Sequence, residues 1–166
     1  LTKVDFPGND DAERPGWDGF VDASEGSPCV PSGKSGWEFG TTEDSRTKAE
    51  RDFEKSVKAC DNKKERAEIT FVFVTPRRWA GKSAWIKAKK VKGLWKDVRA
   101  YDACDLEQWL EQSLPAQAWF ANETHIPAQH VRSLDKCWAD WASVSTPQLT
   151  GTLFSSAIDA TKRAMQ

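Results

Sequence analysis

At 166 residues the chain is long enough for one domain with a sizeable core, so it needs neither disulfides nor a structural metal to hold it. Its net charge of -1 hides a segregation: residues 77 to 100 carry 9 basic groups against Asp97 alone, whereas residues 1 to 26 carry 2 basic and 7 acidic groups. A near-neutral total therefore does not exclude a nucleic-acid face. Four scattered cysteines with no CxxC or CxxH pair argue against a zinc knuckle and for a reducing cytoplasm.

No apolar run reaches the length of a membrane span, and no signal peptide opens the sequence. A cytoplasmic protein is expected. The chain starts on Leu1 and stops at Gln166 inside a helical pattern, which suggests a module of something longer.

In chain order, residues 5 to 16 carry turn chemistry, and residues 17 to 21 form a short strand. Residues 26 to 36 read as a loop rich in Gly, Pro and Ser, with Val30 as a brief strand, before a strand at Trp37, Glu38 and Phe39. A helix is expected from about 44 to 60, with Thr41 or Thr42 as cap, Ala49, Phe53 and Val57 as its apolar stripe, and Lys48, Asp52 and Lys55 on another face. Residues 61 to 64 end it in a polar turn.

Residues 69 to 74 are almost continuously apolar, as befits a strand buried on both faces in mid-sheet. A helix from about 82 to 91 and a strand from 98 to 101 follow. Asp102 then caps a helix that runs to about 113, with Leu106, Trp109 and Leu110 inward. Residues 116 to 122, 133 to 142 and 152 to 164 read as helices with Trp119, Trp138, Trp141, Leu153 and Ile158 as core candidates. Strands early, helices late and a β-helix-β unit between them predict an α/β fold, a central mixed sheet flanked by helices. The expected organisation is a core over residues 1 to 113 and a helical carboxy-terminal extension over 114 to 166, packed on that core.

Two motifs fail. Gly33-Lys34-Ser35 and Gly81-Lys82-Ser83 echo the end of a Walker A loop, but Pro28 and Pro76 stand where its first glycine belongs. His125 and His130 are too isolated for a metal or nucleophile constellation and read as surface residues.

Asp18 and Glu38 stand at the ends of two short apolar segments joined by a hairpin-like loop. Adjacent antiparallel strands would bring them together. Phosphodiester cleavage needs a hard cation to polarise the phosphoryl oxygen and acidify the attacking water. Mg2+ (or Mn2+) is satisfied by one or two carboxylates plus waters, so Asp18 and Glu38 are the candidate metal ligands. A nearby lysine can steady developing charge.

The order of acid, loop, Trp37-Glu38-Phe39 strand, amphipathic helix and buried strand resembles the restriction-endonuclease-like core, the PD-(D/E)xK superfamily. The segments Arg14-Pro15-Gly16-Trp17-Asp18-Gly19, Trp37-Glu38-Phe39-Gly40, residues 71 to 77 and residues 101 to 111 are together similar to amino-terminal modules of large bacterial NTPases implicated in phage defence. That resemblance implies a metal-dependent DNA endonuclease serving as effector of an antiviral defence protein, joined to an NTPase or sensor region, with self-association left open. It makes Asp18 and Glu38 the two metal-binding acids. The superfamily lysine belongs two residues after the Glu, where this chain has Gly40. Lys48 is the candidate for a migrated catalytic lysine, with Lys34 in reserve. The alternative is an inactive module of the same fold that binds nucleic acid or a partner domain.

The basic stretch from 77 to 99 supplies the expected DNA grip. Arg77 and Arg78 follow the buried strand, and Lys82 and Lys34 join them as backbone contacts. Most of the nine tryptophans, Trp79, Trp85 and Trp95 included, are better suited to packing than to stacking on bases.

Overall fold

Strand β4 (Ile69–Val74) is buried at all six positions because it lies between two other strands and under helices. The computed structural model describes residues 3 to 7, 16 to 126, 134 to 146 and 148 to 164. Most of the turn expected over residues 5 to 16 lies outside the described residues, as does His130.

The five strands are β1 (Lys3–Asp5), β2 (Gly19–Ala23), β3 (Gly33–Phe39), β4 and β5 (Asp97–Tyr101), in the sheet order β1-β2-β3-β4-β5. The first three pair antiparallel as a meander, while β3, β4 and β5 run parallel. Parallel neighbours need crossovers. Helix α1 (Ser45–Ala59) with the single turn α2 (Lys63–Arg66) supplies the first, and α3 (Lys82–Val91) supplies the second. Helix α4 (Ala103–Glu111) follows β5. This is an α/β fold with a mixed sheet flanked by helices.

Side-chain alternation along the strands divides the core in two. One face holds Phe71, Phe73, Val98 and Ala100 against Ala49 and Phe53 of α1, Trp85 of α3, and Trp79 and Trp95 from the loops. The other holds Val21, Ala23, Trp37, Val72 and Val74, with Val30, Tyr101, Leu106 and Trp109 packed on them. The three tryptophans of the basic stretch are thus core residues.

Several local expectations are corrected. Residues 33 to 36 are strand, because their main chain pairs with β2 on one side and β4 on the other. Gly36 can sit there only bare: a Cβ on it would lie 2.3 Å from Trp17 Cε2. Val30 is in a turn, its carbonyl accepting from Ser27 N at 2.8 Å. Asp44, not Thr41 or Thr42, caps α1 by accepting from Thr47 N at 3.0 Å. The polar turn after α1 is itself helical, since Asn62 Oδ1 accepts from Lys64 N and Glu65 N and caps α2.

The chain divides into two compact units, Leu1–Gln112 and Ser113–Gln166. The second contains α5 (Leu114–Thr124), α6 (Leu134–Ser143), a 3-10 turn (Gly151–Phe154) and α7 (Ser155–Ala164). Trp119, Trp141 and Ile158, core candidates by sequence, are exposed, and Trp138 is on the margin; Leu153 lies outside the described side chains. Within this unit the Trp138 ring packs against Trp141 and edge-on to Phe154, leaving most of the apolar surface uncovered. Among the described residues no helix is long and apolar enough to cross a membrane.

Candidate acidic site between strand β3 and helix α1

Asp18 immediately precedes β2, and the Gly19–Trp37 pairing carries it opposite Glu38 when the register is continued by one residue. Its Oδ2 accepts from Phe39 N at 2.8 Å, which ties the carboxylate to the main chain of β3. Glu38, one position earlier on that strand, turns toward α1 and is only 2% exposed. Ser56 Oγ of α1 donates to its Oε1 at 2.8 Å. The pair expected from the sequence is therefore brought together by strand pairing.

Burial pushes the Glu38 carboxyl up to about 7; the Ser56 hydrogen bond and Lys55 oppose the rise, while the negative charges of Asp18 and Asp52 add to it. Glu38 thus sits among like charges in a poorly solvated place.

Lys48 extends from α1, not from β3. Its Nζ reaches Asp52 Oδ2 at 2.6 Å, one helical turn on. Asp52, which the sequence puts on a polar face of that helix, is 3% exposed and within the field of Glu38. Sequence reasoning missed Asp52 and Ser56 as members of the site. The signal was there: Lys48, Asp52 and Ser56 recur every fourth residue beside the apolar stripe of Ala49, Phe53 and Val57.

Gly40 stands where the resemblance places a lysine. Its N donates to Val74 O at 2.9 Å, and Lys48 Cγ and the Phe73 ring fill the space its side chain would take.

The remaining candidates are dispersed. Lys34 opens β3 and pairs with Glu68 at 2.9 Å on the surface. Arg77 Nε donates to Thr41 O at 3.1 Å, and its main-chain N donates to Thr75 Oγ1. Arg78 is exposed. Lys82 is committed to two carboxylates, Asp102 at 2.8 Å and Asp105. Within the basic stretch Lys89 pairs with Glu50, and Lys90 and Arg99 both pair with Asp97. Four of its nine cations are thus matched by acids, three of which, Asp102, Asp105 and Glu50, lie outside the stretch.

Among the described residues no group of three or more His, Cys, Asp or Glu side chains is arranged to hold a metal. Asp18 and Glu38 together offer two carboxylates, and among the described residues Asp18 Oδ1 and Glu38 Oε2 accept no hydrogen bond. Two hard oxygens with water completing the shell is the donor set Mg2+ prefers. The chain matches no family model, no curated protein and no solved structure.

Proposed function

We propose that this chain is a metal-dependent DNA endonuclease module with a restriction-endonuclease-like core. The observation that carries the proposal is the juxtaposition of Asp18 with buried Glu38 on paired strands, beside the Lys48–Asp52 pair. Crowded carboxylates destabilise one another, and a divalent cation bound between them relieves that cost. The motif resemblance supplies the setting, an antiviral effector joined to an NTPase or sensor region.

Asp18 Oδ1 and Glu38 Oε2 would hold Mg2+ or Mn2+. When bound, the ion polarises a phosphoryl oxygen and lowers the pKa of a water. Ser56 fixes the Glu38 carboxylate by its hydrogen bond, and Phe39 N fixes that of Asp18. The ion pair with Asp52 limits the motion of the Lys48 amine and holds it where it can stabilise charge developing on the phosphate. Arg77 and Arg78 contact the backbone of the DNA.

One observation favours the alternative of an inactive binding module: Glu38 is almost fully covered by α1. Incubation with supercoiled plasmid and Mg2+ or Mn2+ separates the two. Cleavage is expected from the wild-type chain and is expected to fall about a hundredfold or more in Asp18→Ala, Glu38→Ala and Lys48→Ala. Undiminished cleavage in the acid variants would discard this site. Retained DNA binding without cleavage under either metal would establish the inactive module.

A further inference from the structure

A cavity of about 460 Å³ lies between β3 and the carboxy-terminal half of α1, and Glu38 forms part of its wall. We infer that this cavity seats a single nucleobase taken out of the stack, so that the strand presented to the acid pair is single-stranded or locally unpaired DNA. The inference rests on the endonuclease reading and names its substrate class.

The cavity is built for a flat, partly apolar group. Lys34, Gly36 and Glu38 share the α1-facing side of β3, and the missing side chain at Gly36 lets the Trp17 indole lie on the strand. Trp17 is fixed from behind by Phe71 and Trp95, with ring centroids 5.9 and 5.3 Å away. Phe20 and Ile69 extend the apolar wall. A rigid aromatic surface is what a base stacks on.

The polar groups suit the edge of a base. Asn62 also lines the cavity, and both hydrogen bonds that cap α2 use its Oδ1. Among the described residues its amide hydrogens have no acceptor, and they can meet a base carbonyl or ring nitrogen. Lys55 is exposed at the rim, where its ammonium can meet a flanking phosphate, while Lys34 at the other end is paired with Glu68. A cavity of this size next to the acids cannot take a stacked base pair. The base must leave the duplex first, which is easiest where the strand is already unpaired.

Cys60 lines the same cavity and is half-buried, so its thiol reports occupancy. The experiment uses the full chain with Cys29, Cys104 and Cys137 changed to Ser. It compares short single-stranded DNA, the matching duplex and a free deoxynucleotide, all without Mg2+ or Mn2+. Single-stranded DNA is expected to bind about tenfold more tightly than duplex and to slow alkylation of Cys60 about tenfold. Phe20→Ala should weaken that binding about tenfold, and Ala59→Trp, which adds bulk at the rim, should abolish the protection.

Equal binding of single strand and duplex with unprotected Cys60 overturns the inference. Protection by the free nucleotide equal to that by the strand also overturns it, in favour of a soluble ligand. Plasmid cleavage with unprotected Cys60 leaves the endonuclease standing and removes the cavity. Protected Cys60 with no cleavage does the reverse.

Discussion

Lys48 and Gly40 compete for one volume: a Cβ on Gly40 would lie 2.7 Å from Lys48 Cγ and 2.7 Å from Phe73 Cζ. The strand position two residues after Glu38 is bare because a helix side chain and a core ring already fill its space. The helix side chain that fills it is Lys48, whose amine is held by Asp52.

Gly40→Ala is therefore expected to destabilise the fold by about 1 to 3 kcal/mol through overpacking. In a Lys48→Ala background the loss should be smaller, since one of the two obstacles is gone. Urea unfolding of the four chains in this cycle measures it. Equal losses in both backgrounds would show that Lys48 does not hold that volume.

Glu38 makes stability depend on pH with an unusual sign. The unfolded side chain releases its proton near 4.5 and the folded one near 7. Between those values the folded chain keeps a proton that the unfolded chain has lost, so this contribution falls as pH rises and levels off above about 7. Its size is on the order of 2 to 4 kcal/mol. Glu38→Gln should remove that slope, seen as the wild-type minus variant difference in unfolding free energy across the window, in chelator. A pH-independent difference would contradict a buried, protonated Glu38.

Asp102 acts at the other end of the scale. Burial alone would raise its carboxyl, but the Lys82 ammonium, Trp79 N and Asp105 bring it down to about 2. Its stabilisation is present above the ordinary value of 3.8 and is lost as pH falls toward 2. Asp102→Asn should flatten the acid limb of stability and cost about 1 to 3 kcal/mol at neutral pH. Urea titrations at stepped acid pH provide the check, with an unchanged acid limb as the contrary outcome.

Arg77→Ala with Arg78→Ala should weaken DNA binding and reduce the slope of log K against log salt by about 1 for each phosphate no longer neutralised. Lys82→Ala should leave that slope nearly unchanged, because its ammonium is already neutralised by Asp102 and Asp105. Anisotropy titrations over a salt series decide both. A full slope in the arginine double variant would remove that corner from the DNA-binding surface.

Much of the local structure was legible in the sequence. The apolar run of β4 and the helical spacing of α3 are written in neighbouring residues, and the structure has both where the pattern puts them. The α/β class follows from the same periodicities. Strand β1 and the first half of β3 were not legible, since Lys3–Asp5 and the Gly-rich start of β3 form strand only because other strands pair with them.

The sequence by itself determined that two acids stand at the ends of two strands and that the basic charge is concentrated between residues 77 and 100. Only the tertiary structure decided what those charges meet. Glu38 is buried under Ser56, Lys48 belongs to Asp52, and Lys82 and Lys89 are matched by acids 20 and 39 positions away. The reason is physical: a charge is set by its surroundings within a few ångströms, and the chain composes those surroundings from segments far apart in sequence.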